Sequence, residues 1–274
     1  MTEAAVRLFL GDTEVASIAF GNRAFAYGES LFETMRAHRG DIPWWEPHMT
    51  RLAEGAGRLA MPLPALDRVD AEARKLLDGE NATLKLHLSR GGARGYAADR
   101  HASPFWMLSR HPLPTPRTAL DIIHCRTRLS AQPLLAGLKH GNRLEQVLAR
   151  AEVEAAHADE GLMRDATGHL ISATTANLFA LIGGEWRTPA LDRCGVAGVM
   201  RGWLLTRAEA RIAPVTQAEL EQAEAVFLCN AVRGILPVRR LGDRTWPALH
   251  PATHALQAQL ADAHPGFAHP KEIP

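Results

Sequence analysis

Lysine is nearly missing from this chain. Basic residues number 31, yet only four are lysines: Lys75, Lys85, Lys139 and Lys271. Cysteine is sparse too. Cys125, Cys194 and Cys229 stand far apart with no CxxC pair, so neither a disulfide framework nor a zinc site is indicated. No apolar run reaches the length of a membrane span, and the N-terminus has no basic stretch leading into an apolar one, so a soluble cytoplasmic protein is expected. Neither sign of charge is in excess. The formal net charge is +1 and arginines are scattered, which argues against nucleic acid as a partner. Gly195, Gly198 and Gly202 do not make GxGxxG, and no GxxxxGK[ST] occurs, so dinucleotide and P-loop readings lack support. His250 and His254 are four apart without the HExxH glutamate, which favours a solvated C-terminal helix over a metal site.

What is present is an α/β chain without repeats. At 274 residues and 46% hydrophobic content it can bury substantial cores, in one large or two medium domains. Pro47, followed by Leu52, Ala56 and Leu59, predicts a helix with one apolar stripe. Leu84, Leu86 and Leu88 alternate with Lys85 across a strand from Thr83 to Ser89, so Lys85 is expected to point away from the leucines. The proline-rich stretch Ser109 to Arg117 has no helical period and is the expected linker, dividing the chain into residues 1–112 and 113–274. Beyond it, Leu144, Val147, Leu148 and Ala151 mark a helix. Strands are expected at Gly161–Arg164, Leu178–Ile182 and Ala225–Cys229, with a hairpin turn at Gly183-Gly184. Thr216 and Glu219 fit a capping box.

Three of the lysines have ordinary settings: a polar helix face for Lys75, a strand for Lys85, a proline-rich tail for Lys271. Lys139 ends the apolar run Leu134-Leu-Ala-Gly-Leu138. Local context leaves two readings open. It is either a lysine snorkelling from a strand end, or a desolvated amine whose lowered pKa suits Schiff-base chemistry.

Wider context favours the second. Lys139-His-Gly-Asn-Arg143 is followed by Thr175-Ala-Asn-Leu-Phe179, Thr188-Pro189 and Cys194-Gly-Val-Ala-Gly-Val-Met-Arg201. Upstream stand Tyr27-Gly-Glu-Ser-Leu-Phe-Glu-Thr34, His48-Met-Thr-Arg-Leu52 and Ser89-Arg-Gly-Gly-Ala-Arg-Gly-Tyr96. This series resembles the class IV aminotransferase family, the fold type IV enzymes of pyridoxal 5'-phosphate, from about Gly21 to Val238. The chain is similar to the family's lyase branch, which eliminates pyruvate to leave 4-aminobenzoate for folate synthesis. The resemblance implies a small α/β N-terminal domain, a larger C-terminal pseudo-barrel, a homodimer and a small-molecule substrate. It implies further that Lys139 carries the cofactor, that Arg51, the amides of Val199 and Met200, and Asn230 hold its phosphate, and that Arg94 and Tyr96 meet a substrate carboxylate. Without it, Arg51 reads as a partner of the adjacent Glu54.

One position departs from the family. A glutamate four residues after the glycine matched by Gly168 ordinarily binds the pyridine nitrogen; here Ser172 stands there. A hydroxyl supplies no comparable charge, so the electron sink is weakened unless a neighbour such as Thr174 compensates. Transamination, which depends heavily on that sink, is disfavoured relative to an elimination driven by ring aromatisation. The alternatives are a D-amino-acid or branched-chain aminotransferase, and a cofactor-binding homologue without catalysis.

Overall fold

The computed structural model describes residues 5–92, 95–99, 101–247 and 249–268. Its chain forms two compact units. One comprises residues 1–114 and Leu138–Asn142; the other comprises 115–137 and 143–274. The short segment containing Lys139 thus belongs with the N-terminal residues.

Alternation of side chains builds the sheet of the first unit. Its strands are β1 (Ala5–Leu10), β2 (Thr13–Val15), β3 (Ser30–Ala37), β4 (Ala82–Arg90) and β5 (Pro104–His111), in the antiparallel order β2-β1-β5-β4-β3. Leu31 and Met35 of β3, Leu84, Leu86 and Leu88 of β4, and Trp106 and Leu108 of β5 are fully buried; the residues between them are mostly half-buried. Between β2 and β3 lies α1 (Arg23–Tyr27), and between β3 and β4 lie α2 (Trp45–Arg58) and α3 (Leu66–Leu77). The expected apolar stripe of α2 buries Leu52 and Ala56, with Leu59 at the C-cap. The expected linker begins as regular structure, because β5 continues through His111: an extended strand needs no helical period, and its prolines start only at Pro112.

The second unit contains β6 (Leu120–Leu129), α4 (Leu144–Ala155), β7 (Glu160–Asp165), β8 (Leu170–Ala173), β9 (Asn177–Ile182), β10 (Glu185–Thr188) and α5 (Val199–Arg207). It continues with β11 (Arg211–Ile212), α6 (Gln217–Gln222), β12 (Ala225–Asn230), β13 (Gly234–Leu241), β14 (Arg244–Thr245) and α7 (Pro251–Ala263). Its strands run β11-β10-β9-β12-β13-β6-β7-β8, and β8 pairs back onto β9. Six strands therefore close into a barrel, a solution that leaves few unpaired edges. Leu162, Leu178, Val226, Leu228 and Val238 share its core with Leu220 of α6. The capping box of Thr216 and Glu219 starts α6, and Gly183 and Gly184 turn the β9–β10 hairpin at positive φ. The helix expected from Leu144 onward forms, but its apolar stripe faces outward. Leu144, Val147 and Leu148 are more than half exposed, whereas Ala149 and Val153 are buried.

Candidate active site

Two sequence motifs meet on the edge of β3. The Phe32 N–H donates to the Lys139 carbonyl over 2.9 Å, Leu31 and His140 form an antiparallel bridge, and Gly141 N–H donates to the Ser30 carbonyl over 2.8 Å. Residues 138–141 thus run along β3 as an added strand. Two glycines permit the approach. A Cβ on Gly141 would overlap Ser30 Oγ, and one on Gly28, whose φ is +65°, would overlap Asn142 Oδ1. Leu138 packs on the buried face near Leu31 and Gly55. Lys139 takes the opposite direction, with Nζ 4.2 Å from the centroid of the Phe32 ring.

The buried face beneath Phe32 holds a charged triad. Glu33 is 1% exposed. His48 Nδ1–H donates to it over 2.6 Å, and Arg51 grips it through Nε at 2.9 Å and through Nη2. His48 and Arg51 are three apart on α2, so one helix face presents both. Burial works to raise the Glu33 pKa, but the hydrogen bond from His48 and the charge of Arg51 outweigh it and leave the carboxyl below its ordinary value. Burial pushes His48 down, against Glu33, with Arg51 and Lys139 adding to the fall. The expectation for Arg51 without the family was Glu54; its carboxylate partner is Glu33, because α2 lies on β3.

In the second unit the motifs converge on the start of α5. Asn177 Nδ2 donates to the Val196 carbonyl over 3.0 Å, and Gly198, the N-cap, sits so close to Asn177 Oδ1 that a Cβ would overlap it. Arg201 is buried and ties α5 to Thr188 Oγ1 at 3.2 Å and the Pro189 carbonyl at 2.9 Å. Among the described residues no acceptor meets the backbone N–H of Val199 or Met200, and no side chain caps the helix. Such a terminus is suited to a phosphate. Asn230 Nδ2 donates to the Thr175 carbonyl over 3.3 Å, while its Oδ1 accepts from the N–H groups of Val232 and Arg233.

Ser172 is buried on β8, its backbone paired with Met163 and Asn177, and among the described residues its hydroxyl has no partner. Thr174 is differently occupied. Its hydroxyl donates to the buried Glu160, which also accepts from Thr174 N–H at 3.1 Å and Thr175 Oγ1 at 2.9 Å. The Thr174 proton is therefore committed elsewhere.

Tyr96 lies in the first unit, 91% exposed, its ring 5.4 Å from that of Tyr27. Both line a recess of about 450 Å³ with Arg23, Glu29 and Arg90, where two buried guanidiniums share the Glu29 carboxylate. Arg94 lies outside the described residues.

The sequence reading missed His87. It stacks on Phe32, ring centroids 5.5 Å apart, directly opposite in register. Burial, then the charges of Lys85, Lys139 and His111, lower its pKa to about 4. Its signal was available in the alternation with Leu86 and Leu88, which places it on the face of Lys85.

In the first unit a lysine pinned to the sheet edge suits an aldehyde; in the second, an uncapped helix start suits a phosphate. Comparison with known proteins agrees. The profile of the class IV aminotransferases matches residues 30–241, and the chain belongs to that family. It is 35% identical over 233 residues to the aminodeoxychorismate lyase of Vibrio harveyi, covering 81% of this chain and 86% of that one. It is 26% identical to a putative branched-chain-amino-acid aminotransferase of Methanocaldococcus jannaschii, covering 85% of each. The crystal structure of 4-amino-4-deoxychorismate lyase from Pseudomonas aeruginosa superposes with a TM-score of 0.87 at 41% identity, covering 94% of this chain and 99% of that one.

Proposed function

We propose that this chain is a pyridoxal-phosphate-dependent lyase that splits 4-amino-4-deoxychorismate into 4-aminobenzoate and pyruvate. The likeness to the Vibrio harveyi enzyme across most of both chains carries the reading, and the pinned Lys139 supports it. The cofactor supplies the electron sink that makes the hydrogen on the nitrogen-bearing carbon removable. Lys139 Nζ would hold the cofactor covalently, and the same amine, when free, would take that proton as general base. The N–H groups of Val199 and Met200 hold the phosphate with the positive end of the α5 dipole. The family resemblance assigns Arg51 and Asn230 to the phosphate as well. Arg94 and Tyr96 orient a substrate carboxylate, for which a bidentate arginine is suited.

At the position where the family has its glutamate, Ser172 would offer the pyridine nitrogen only a hydroxyl. It stabilises added negative charge less than a carboxylate-paired pyridinium does. That suffices here, because loss of pyruvate leaves an aromatic ring. Fluorimetric detection of 4-aminobenzoate, beside an assay with D-alanine or leucine and 2-oxoglutarate, tests the reading. Release of 4-aminobenzoate with negligible amino transfer is expected; efficient transfer without release favours an aminotransferase. Ser172→Glu is expected to raise the ratio of transfer to lysis.

The exposed stripe of Leu144, Val147 and Leu148 supports a homodimer, since a surface helix ordinarily buries such a face. We place the enzyme in the cytoplasm: its three cysteines are free and buried, and among the described residues no helix is long and apolar enough to cross a membrane.

A further inference from the structure

The half-buried face of β4 is built from charge of one sign. Lys85 lies between Thr34 of β3 and Ser109 of β5; His87 lies between Phe32 and Met107. One rung further, Thr83 lies between Arg36 and His111. With Lys139 over Phe32, these rungs gather three cations and two imidazoles, and not one carboxylate. Among the described residues, neither the Lys85 ammonium nor the His87 ring has a hydrogen-bond or ion-pair partner, whereas Lys75 reaches Glu72 at 3.3 Å. A ligand carboxylate would give the Lys85 ammonium the counter-ion that the described residues do not supply.

We propose that Lys85 and His87 form a seat for the substrate's ring carboxylate, the one opposite its amine. The inference rests on the lyase reading. Lys139 Nζ lies over Phe32 of β3, so an amine held there directs a para-substituted ring across the roughly 4.8 Å spacing from β3 onto β4. There Lys85 meets the carboxylate as a charge-assisted donor, and His87, neutral near pH 7, donates one N–H. The substrate's second carboxylate, on the enolpyruvyl group, leaves with pyruvate. Arg94 and Tyr96 attend to that one.

The test is calorimetric titration of the holoenzyme with 4-aminobenzoate and with 4-aminobenzamide, identical but for the negative charge. The wild type is expected to prefer the acid by a factor on the order of ten or more, as a charge-assisted contact allows. Lys85→Met abolishes the preference, Lys85→Arg retains most of it, and His87→Leu reduces it. Cofactor absorbance and melting temperature confirm that each variant is folded and loaded. A Lys85→Met enzyme that keeps the wild-type preference overturns the seat, as does a wild type with no preference. Release of 4-aminobenzoate from 4-amino-4-deoxychorismate, run alongside on the wild type, tests the underlying reading separately. Release with preference retained in Lys85→Met removes the seat alone; no release overturns the lyase reading.

Discussion

Phe32 holds Lys139 twice, by a 2.9 Å hydrogen bond from its N–H to the lysine carbonyl and by its ring, 4.2 Å from Nζ. Backbone and side chain are fixed by one residue of an edge strand. The role proposed for Lys139, attaching a cofactor and then moving a proton, needs such positioning.

That positioning depends on Gly28. Its left-handed φ and its closeness to Asn142 leave no room for a Cβ. Gly28→Ala is expected to lower stability by roughly 1–3 kcal/mol and to weaken cofactor retention, read by melting and by absorbance after dialysis. Unchanged retention contradicts a role for this contact in placing Lys139.

The motifs themselves were legible in the sequence, because Tyr27–Thr34, Lys139–Arg143 and Cys194–Arg201 each carry local chemistry. Their meeting was not. The run of residues 138–141 beside β3 is a pairing between segments about a hundred positions apart, and no local period encodes it. Arg51 shows the same limit: Glu54 is near in sequence, but helix packing selects Glu33. The stripe at Leu144 was read correctly as helical, yet periodicity identifies an apolar face without saying what covers it. His87 was legible in principle, since alternation placed it beside Lys85.

Arg51 serves the fold as well as the proposed phosphate. Arg51→Ala leaves Glu33 buried with His48 alone and is expected to cost about 3–5 kcal/mol. Adding Glu33→Gln removes the stranded charge and recovers much of that loss. The double variant should still bind pyridoxal phosphate more weakly, by roughly 1.5–3 kcal/mol. Wild-type affinity in the double variant shows that Arg51 is structural only.

His87 is expected to titrate near pH 4 by NMR in the ligand-free protein. Its folded value lies below the ordinary 6.5, so between the two the unfolded chain holds more proton. The stability that the neutral ring contributes is complete above pH 6.5 and is lost as pH falls through about 4. A midpoint near 6.5 contradicts the effect of burial and of the charges of Lys85, Lys139 and His111.

Replacing Val147 and Leu148 of α4 by aspartate is expected to convert a dimer to monomers in light scattering at micromolar concentration, with loss of activity. A wild-type monomer with full activity contradicts the proposed assembly.

The central claim is that Lys139 carries the cofactor. Borohydride reduction of the holoenzyme, followed by proteolysis and mass spectrometry, reads it directly, because only three other lysines compete. The account predicts a pyridoxyl label on the peptide containing Lys139. A label confined to Lys75, Lys85 or Lys271, with Lys139 unmodified, contradicts it.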